Sequence, residues 1–522
     1  MPSNQTNSAD GTRPSLKPSS SPSPSNQTRP DDGAYLPKLS NPVPSNKGKW
    51  GAVIDFPLVP VLVAIVPGTN KLITWSSAAP NAFGGNKEQT LTATYDPTTG
   101  AVSQELITVT QHDMFCPGVS LSTNAAIIVS GGDSNQQTSS YLNGKWTSAA
   151  KLNIARGYNA QVTLSSGGIF TIGGSWTGDK TKDKDGELYN PKTNQWTVLT
   201  GCDVKPMITG DNQGVYRADN HGWLFGREDG TVFQAGPSKN MNWYTTAKSG
   251  SVRSAGTRGD DQDSMNGNAA MYDAPAGKIL TIGGSANYDN TAATSNAHII
   301  TLGAALSTPS VERIANMQYA RAFANSVILP TGHVVVMGGV TFAKVFSDDN
   351  PVLYPELFDP DRHTFTAMAP MTIPRTYHSA CILMMDATVF CGGGGLCGST
   401  CQVNHLNAQI FTPPYLLDAN NNPVPRPQIV STDPKNSVAI GKRITVQTKE
   451  RVGGFTLMRA GSATHSINTD QRRVPLKTKR TGGNSYVVEV PGVTGVVIPG
   501  SWMLFAISED GVPSHGTSME CT

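Results

Sequence analysis

A short pattern recurs seven times between residues 67 and 393, and it constrains the fold more than any other feature of the sequence. Each copy has a turn with Gly or Asp, four or five β-forming residues and a pair of small residues. The copies lie at 67–74, 127–132, 168–174, 230–236, 277–284, 332–339 and 387–393. Repeats of about 50 residues with a glycine pair are typical of kelch units, which form the four-stranded blades of a propeller. We therefore predict an all-β, seven-bladed β-propeller over residues 47–412.

Four residues, among them a thiol and two phenols, share one position in this repeat. Cys116, Tyr158, Phe323 and Tyr377 each lie 15 residues before a glycine pair. Equivalent positions of a closed, pseudo-symmetric repeat converge on its axis. Aromatic packing would explain Tyr or Phe there, but it would not explain Cys, nor His378 beside Tyr377. The pattern predicts a functional site on the propeller axis.

The pattern changes after about residue 412. Pro413 and Pro414 interrupt the chain, and short alternating runs of β-forming residues follow at 443–446, 454–457, 486–490 and 502–506. Strands at this spacing in about 110 residues are typical of an immunoglobulin-like sandwich. We predict such a β-sandwich over residues 413–522.

The first 46 residues are mostly Ser, Pro, Asn and Thr, with few large apolar groups. Such a segment cannot bury enough surface to offset the entropy lost on ordering. We predict a disordered tail over 1–46, without the basic and apolar regions of a signal peptide. Asn4 and Asn26 begin sequences that accept N-glycans in secreted proteins.

The composition argues against two classes of partner. Charged residues make up 15% of the chain and the formal net charge is +2, which does not suggest nucleic acid as a partner. No stretch approaches the length of apolar residues that a membrane helix needs. We expect neither nucleic-acid binding nor a membrane span.

The seven cysteines leave at least one thiol unpaired within the chain. Cys397 and Cys401 are close neighbours in a glycine-rich loop. We predict a local disulfide there rather than a zinc site, because no second pair lies at metal-binding spacing. Cys381 and Cys391 flank a predicted hairpin, where a bridge and two buried free thiols fit equally well.

Imidazole and phenol side chains are the candidate metal ligands. Tyr377 and His378 are adjacent, so in a regular strand they would point to opposite faces, and sharing one metal requires a strand end or bend. His465 lies in a polar stretch followed by 470–473. Such ligands without an Asp/Glu cluster favour copper or iron over calcium or magnesium. Alternatively, Tyr377 packs in the core, His378 is a satisfied polar residue and His465 lies in a surface loop.

Four longer motifs weaken that alternative. They are His-Asp-Met-Phe-Cys-Pro-Gly at 112–118, Ala-Arg-Gly-Tyr at 155–158, Gly-Gly-Ser-Trp at 173–176 and Thr-His-Ser-Ile-Asn-Thr-Asp-Gln-Arg-Arg at 464–473. In this order they closely resemble the galactose oxidase family of copper-radical alcohol oxidases. The resemblance runs from about Gly48 to near the C-terminus. The galactose-binding domain that precedes the propeller in that family has no counterpart in residues 1–46.

The resemblance implies a copper site and a covalent cofactor. The implied ligands of one copper ion are Tyr158, Tyr377, His378 and His465. A self-formed thioether would join Cys116 to Tyr158 and make that tyrosine a redox-active radical, with Trp176 stacked over it. Tyr377 would be the axial ligand and the base that takes the alcohol proton.

The resemblance also implies a sugar pocket. Its residues, or their neighbours, are Phe83, Tyr216, Arg217, Tyr288, Phe323 and Phe346. Arg217 would donate hydrogen bonds to ring hydroxyls. Asp289 stands where the family carries Gln, and we expect it to contact substrate or to pair with Arg217. Cys397 and Cys401 have three residues between them rather than the family's two.

The implied activity is oxidation of primary alcohols, namely the C6 hydroxyl of galactose and galactosides, to aldehydes with reduction of O2 to H2O2. A second hypothesis keeps this chemistry and changes the substrate to aryl or aliphatic primary alcohols. A third is a non-catalytic kelch interaction module, which the intact set of predicted ligands disfavours. The expected partners are a small or oligosaccharide alcohol and O2, and the resemblance implies a secreted protein, which we expect to be monomeric.

Overall fold

The computed structural model describes residues 35–36, 44–401 and 403–522. Seven antiparallel sheets surround one axis as the blades of a propeller, and a larger sheet follows them in the chain. Thus the predictions of a seven-bladed propeller and a C-terminal β-sandwich are confirmed.

The first two strands and the first three blades follow in chain order. Two short strands precede the blades: β1 (Lys49–Trp50) and β2 (Ile54–Asp55). Blade 1 contains β3 (Leu62–Ile65), β4 (Leu72–Trp75), β5 (Thr90–Asp96) and β6 (Ala101–Ile107). Blade 2 contains β7 (Gly118–Leu121), β8 (Ile127–Ser130), β9 (Thr138–Leu142) and β10 (Lys145–Ala149). Blade 3 contains β11 (Ala160–Thr163), β12 (Ile169–Ile172), β13 (Glu187–Asn190) and β14 (Gln195–Val198).

The remaining blades repeat this arrangement, and two short strands, β21 and β26, pair between blades 5 and 6. Blade 4 contains β15 (Trp223–Gly226), β16 (Thr231–Gly236), β17 (Asn240–Thr245) and β18 (Ser251–Thr257). Blade 5 and its short strand comprise β19 (Asn268–Asp273), β20 (Lys278–Ile282), β21 (Thr291–Ala292), β22 (Ala297–Thr301) and β23 (Ser310–Arg313). Blade 6 and its short strand comprise β24 (Asn325–Ile328), β25 (Val334–Met337), β26 (Phe342–Ala343), β27 (Glu356–Asp359) and β28 (Thr364–Ala367). Blade 7 contains β29 (Ser379–Leu383), β30 (Val389–Gly393) and β31 (Asn407–Thr412).

The sandwich part is built on an eight-stranded sheet, while one of its short strands joins the propeller. Its strands are β32 (Ile429–Asp433), β33 (Ser437–Val438), β34 (Arg443–Thr448), β35 (Gly454–Arg459), β36 (Ser462–Thr464), β37 (Arg473–Gly482), β38 (Ser485–Glu489), β39 (Gly500–Ile507) and β40 (Thr517–Cys521). The sheet order is β32-β34-β38-β37-β35-β39-β40-β33. β36 instead pairs with β3 of blade 1, placing Thr464 opposite Leu62.

The inner strands of the blades explain the repeated sequence pattern. Every residue of β8, β12 and β25 is buried, because neighbouring blades cover both faces of these strands. Outer strands alternate instead, as in β14, where Trp196 is buried between exposed neighbours. The glycine pair permits close contact between blades: a Cβ added at Gly173 would lie 2.4 Å from the carbonyl oxygen of Asp219.

Blade 7 takes its outermost strand from the other end of the propeller. β1 pairs with β31, with Lys49 opposite Thr412 and Trp50 opposite Phe411. Trp50 Nε1 also donates a hydrogen bond to the carbonyl of Ala369 at 3.0 Å. The first and last strands of the propeller therefore close the ring by hydrogen bonding, which removes the open edge between them.

Helices are few and short in the described part of the chain. They are the α-helix Val215–Ala218 and four 3-10 turns at Lys205–Met207, Glu228–Gly230, Gly398–Thr400 and Pro414–Leu416. None of these described helices has the length and apolar composition that crossing a membrane demands.

Parts of the predicted tail differ from the expected disorder. The amide of Leu36 donates to the carbonyl of Thr478 at 2.8 Å, and the Tyr35 hydroxyl donates to Glu489 at 2.6 Å. Asn46 Nδ2 donates to the carbonyl of Leu417 at 3.0 Å. These few residues gain backbone partners on the folded chain that composition could not reveal. Residues 1–34 and 37–43 of the predicted tail, including Asn4 and Asn26, lie outside the described residues.

Candidate metal centre

The repeated position predicted from the sequence lies on the propeller axis. The amide of Tyr158 donates to the carbonyl of Cys116 at 2.8 Å, and that of His221 donates to Tyr158 at 2.9 Å. On the opposite side, the amide of Phe323 donates to the carbonyl of Asn266 at 3.0 Å. Hydrogen bonds thus pass from blade to blade around the axis and bring these side chains together.

The assignment of Tyr377 to this position is wrong by one residue. Cys116, Tyr158, His221 and Phe323 all have φ between 52° and 66°, in the left-handed region, and His378 shares this conformation with φ 69°. His378 lies 15 residues before Gly393, the first left-handed glycine of its blade. The run of four glycines at 392–395 concealed the register. The repeated position therefore carries a thiol, a phenol, a phenyl and two imidazoles.

Tyr377 and His378 could share a metal ion only at a strand end or bend, and the backbone has such a bend there. His378 immediately precedes β29, and its left-handed conformation bends the backbone there. The two rings consequently lie on one side, stacked with centroids 3.8 Å apart and planes at 28°. Left-handed conformations are costly for bulky residues and cluster at functional sites.

His465 reaches the axis from the sandwich part. It follows β36, and both His465 and Ser466 are left-handed. The segment beyond it is held by the inner strands of the propeller. Asp470 accepts from the amide of Leu121 at 2.9 Å, and Gln471 Nε2 donates to the carbonyl of Ser326 at 2.8 Å. The surface-loop alternative is wrong, because His465 is 5% exposed.

Five side chains converge at one buried point. His465 Nε2 lies 3.1 Å from Cys116 Sγ, and the donor atoms of Cys116, His378 and His465 all lie within 4.8 Å of one another. The hydroxyls of Tyr158 and Tyr377 are hydrogen-bonded to each other. The site therefore offers two phenol oxygens, two imidazoles and a sulfur.

This donor set fits a copper ion. His378 Nδ1 lies 2.5 Å from the carbonyl oxygen of Gly395 and donates to it, which leaves Nε2 unprotonated. That Nε2 is buried and has no hydrogen-bond partner among the described residues. Burial lowers the pKa of His378 to about 3 and lowers that of His465 well below its usual value, so both rings are neutral at pH 7. Neutral imidazole with phenolate oxygen suits copper better than calcium or magnesium.

Burial also keeps the other groups uncharged when no cation is present. It raises the pKa of Tyr377 to about 12 and raises the pKa values of Tyr158 and Cys116 well above their usual ranges. A cation at this point would reverse that preference, because an opposite charge favours the phenolate.

Aromatic rings cover the Cys116–Tyr158 side of the site. Trp176 stacks on Tyr158, with centroids 4.7 Å apart and planes at 24°. Phe115 meets Trp176 edge-on at 6.1 Å and His378 at 5.3 Å. The predicted position of Trp176 over Tyr158 therefore matches the geometry, whereas sequence reasoning gave Phe115 no role.

Arg217 lies over the predicted substrate pocket. Its guanidinium carbon lies 4.3 Å from the centroid of Tyr288 and 5.1 Å from that of Tyr216. Nε and Nη1 of Arg217 are buried and have no hydrogen-bond partner among the described residues. Two donors are therefore available to a ligand. Lys180 covers the Tyr216 ring with its ammonium 4.5 Å from the centroid.

Phenylalanine rings form the apolar wall of the pocket. Phe83 stacks between Phe115 and Phe346, with centroids 5.1 Å and 5.6 Å away. Phe346 meets Tyr377 at 5.1 Å, and Phe323 meets Tyr377 at 5.0 Å. Phe83 is 39% exposed and marks the outer end of this wall. All the predicted substrate residues except Asp289 thus line one region beside the ligands.

Asp289 has different partners from those expected. Its Oδ1 accepts from the amide of Val345 at 3.0 Å, and its Oδ2 accepts from Asn290 Nδ2 at 3.2 Å. Among the described residues it forms no ion pair with Arg217. The side chain instead bridges to the neighbouring loop, a long-range contact that sequence spacing does not reveal.

Two disulfides lie near this region of blade 7. Cys397 is bonded to Cys401 in the glycine-rich loop, as predicted. Cys381 is bonded to Cys391, which is its direct partner across β29 and β30, so the bridge is the alternative that the structure adopts. Cys116, Cys202 and Cys521 are free and buried.

His221 is the main residue that sequence reasoning missed. Its ring lies 4.5 Å from that of Tyr158 and stacks on His465 at 5.0 Å. Its Nε2 is 3.4 Å from the Tyr288 hydroxyl. A signal was present, because His221 lies 15 residues before Gly236 and so occupies the same repeated position.

Comparison with known proteins identifies the family. A galactose oxidase of Gibberella zeae is 48% identical over 483 residues, which cover 91% of this chain and 71% of that protein. The chain belongs to the galactose oxidase family. The galactose oxidase-like early set domain matches residues 426–520, and the glyoxal oxidase N-terminus matches residues 268–415. The predicted family is therefore confirmed, and with it the assignment of the chain as an oxidoreductase.

More distant and structural relatives agree. An aldehyde oxidase of Arabidopsis thaliana is 30% identical over 236 residues, covering 40% of this chain and 37% of that protein. A solved fungal alcohol oxidase, described as catalytically diverse and in complex with copper, has a TM-score of 0.88 and 46% identity. It covers 91% of this chain and 100% of its own. The prediction of copper as cofactor is thereby confirmed.

Proposed function

We propose that this protein oxidises primary alcohols to aldehydes and reduces O2 to H2O2, with the C6 hydroxyl of galactose and galactosides as substrate. The observation that carries the proposal is the convergence of Tyr158, Tyr377, His378, His465 and Cys116 at one buried point. A non-catalytic interaction module would not need a buried imidazole nitrogen without a partner, because such a group costs free energy.

Tyr158, Tyr377, His378 and His465 would hold the copper ion. When bound, copper supplies a one-electron acceptor and a Lewis acid that acidifies the alcohol. Alcohol oxidation removes two electrons, so the protein must supply a second one-electron acceptor. Tyr158 is the residue placed to do so, since its ring is shielded by Trp176 at 4.7 Å.

A thioether between Cys116 and Tyr158 would make that phenol easier to oxidise. Forming the C–S bond removes one hydrogen from the thiol and one from the ring, and O2 accepts them. Cys116 Sγ is confined beside Tyr158 by the backbone hydrogen bond between the two residues. The left-handed conformation that they share holds both side chains towards the axis.

Tyr377 would take the proton of the alcohol. Its oxygen is hydrogen-bonded to Tyr158, and the Tyr288 hydroxyl donates to it at 3.4 Å. A positioned phenolate within hydrogen-bonding reach of the substrate hydroxyl can act as a general base. Tyr288 would stabilise the charged form of Tyr377 before proton transfer.

Arg217 would orient the substrate. Its unpaired Nε and Nη1 can donate to two sugar hydroxyls, while the Phe83, Phe115 and Phe346 rings cover an apolar face of the sugar. A site that hydrogen-bonds a hydroxyl rejects analogues that lack it. This combination supports galactosides.

Aryl and aliphatic primary alcohols are the second candidate substrates. The three stacked phenylalanine rings would accept a benzyl group as readily as a sugar face. The solved relative described as catalytically diverse supports keeping this alternative.

We place the enzyme in an oxidising compartment, which agrees with secretion. The described chain contains two disulfides, Cys381–Cys391 and Cys397–Cys401, and such bonds persist outside the reducing cytosol. One chain provides all the proposed ligands, so we propose that a monomer is a complete catalytic unit.

Peroxide release after copper loading tests the proposal. The purified protein is given galactose, raffinose, benzyl alcohol and glycerol, and H2O2 and aldehyde are measured together. We expect equal amounts of both products, with galactose and raffinose above glycerol. Benzyl alcohol alone would favour the second candidate, and no peroxide from any alcohol would overturn the proposed reaction.

A further inference from the structure

The loop between β25 and β27 carries Phe346 in an unusual conformation. Phe346 has φ 55°, in the left-handed region that bulky residues rarely adopt. Its ring nevertheless packs against Tyr377 at 5.1 Å and His378 at 5.4 Å. A strained conformation of this kind persists only where the surroundings fix it. The contacts made by the residues on either side of Phe346 therefore determine the position of its ring in the pocket wall.

Asp289 holds the N-terminal side of Phe346. Its Oδ1 accepts from the amide of Val345, the residue directly before Phe346, at 3.0 Å. The pairing of β21 with β26 joins the same two loops, with Thr291 opposite Ala343. The backbone beside Asp289 is also held, because the amide of the preceding residue, Tyr288, donates to Asp211 Oδ2 at 2.5 Å.

Asp348 holds the C-terminal side. Thr376 Oγ1 donates to Asp348 Oδ1 at 2.8 Å, and His405 Nε2 lies 2.7 Å from Asp348 Oδ2. Thr376 is the residue before Tyr377, so this contact ties the loop to the segment of blade 7 that carries two proposed ligands. Phe346 is thus fixed between blade 5 and blade 7.

We propose that Asp289 is a positioning residue that sets the place of Phe346 and thereby the preference of the site for ring-bearing alcohols. Asp289 acts through the Val345 amide and does not touch the substrate. A carboxylate is a stronger acceptor for an amide than a neutral group. Without this hydrogen bond, the backbone of Phe346 can leave the left-handed conformation. Its ring can then move away from the pocket wall. This inference rests on the proposed function for its effect on substrate choice.

Three variants separate this role from other effects. Asp289→Ala removes the acceptor, whereas Asp289→Asn keeps an oxygen that can accept from the Val345 amide. Asp349→Ala is the matched control, since it breaks an exposed ion pair with Lys344, at 2.7 Å, on the same loop. Each variant is loaded with copper, and its metal content is measured to show that the ligands are intact.

Hydrogen exchange of the Val345 amide is the first readout, and it does not depend on activity. We expect exchange about tenfold faster in Asp289→Ala, and rates near the parent protein in Asp289→Asn and Asp349→Ala. The second readout is KM against kcat for galactose, benzyl alcohol and glycerol. We expect Asp289→Ala to raise KM about tenfold for the ring-bearing alcohol that the parent protein oxidises. The KM for glycerol should change little.

The outcomes distinguish this inference from the proposed function. Unchanged exchange at Val345 in Asp289→Ala overturns the positioning role, whatever the activity. Faster exchange with equal changes in KM for glycerol and the ring-bearing alcohols overturns the link to specificity. If the parent protein oxidises no alcohol, the proposed function fails, while the exchange experiment still decides whether Asp289 holds the loop.

Discussion

Cys116 Sγ lies 3.1 Å from His465 Nε2, although the two residues are 349 positions apart. One comes from the loop before blade 2 and the other from the sandwich segment that enters the propeller axis. Cys116 is 1% exposed and its backbone carbonyl accepts from Tyr158. The thiol is therefore enclosed with the proposed ligands, and it forms no disulfide with another cysteine of the described chain.

The first prediction concerns the covalent cofactor. Copper loading in air should join Cys116 to Tyr158, because the thiol and the phenol occupy neighbouring blades at the same buried position. Peptide mapping should show the two peptides linked, with the loss of two hydrogen atoms. Cys116→Ser should bind copper but form no link. A free thiol at Cys116 in active enzyme would contradict the prediction.

The second prediction concerns the metal. His465→Ala should lower copper content well below one per chain, because one of two neutral imidazoles is lost. It should also weaken the hold of the propeller on the sandwich segment, which we expect to appear as faster hydrogen exchange across 462–473. His363→Ala is the control, since His363 lies in the turn between β27 and β28, with its Nδ1 3.2 Å from Glu312 Oε1. Full copper content in His465→Ala would exclude His465 as a ligand.

The sequence predicted the architecture well because the repeated pattern follows from the packing requirements of each blade. Inner strands need continuous apolar runs, and the glycine pairs are needed where blades approach closely, as at Gly173. An apolar run followed by a pair of small residues recurs in every blade, so this pattern is visible without a structure. The same logic placed Cys116 and Tyr158 together, and it would have found His221 had the 15-residue spacing also been applied to Gly236.

The rest of the site depends on contacts that do not recur at a regular spacing in the sequence. The four glycines at 392–395 allowed two registers, and only the backbone conformation showed that His378 holds the repeated position. Asp289 bonds to Val345 across two loops of irregular length. Such contacts depend on how long loops fold back over the axis, which neither hydrophobic pattern nor motif spacing encodes.

The third prediction concerns the substrate pocket. Arg217→Ala should raise KM for galactose by about tenfold or more, because two donors to hydroxyls are lost. Benzyl alcohol, which has no second hydroxyl, should be affected much less. Steady-state peroxide assays with both alcohols measure the ratio. Arg217→Lys should recover part of the affinity, since it keeps the charge but not the fork of donors. Equal losses on both alcohols would mean that Arg217 acts on the fold or on the ligands.

The last prediction concerns the dependence of stability on pH. His112 is fully buried, with Nδ1 2.8 Å from Ser139 Oγ and Nε2 2.8 Å from the carbonyl oxygen of Gly131. Burial lowers its pKa to about 4. In the unfolded chain the His112 ring is protonated as the pH falls below about 6.5, whereas in the folded protein it is protonated only near pH 4. As the pH falls through this window, the unfolded state binds more protons and the free energy of unfolding decreases.

The slope that His112 contributes is about 1.4 kcal/mol per pH unit between these values. Urea unfolding of the copper-free protein at pH 7, 6 and 5 should therefore show falling stability. His112→Gln should be less stable at pH 7, because the ring's two hydrogen bonds are altered, yet its stability should fall less steeply with acid. Other buried histidines add to the total, so the difference in slope between the two proteins is the quantity to compare. Identical slopes for the parent and His112→Gln would mean that His112 is not the group that resists protonation in the folded state.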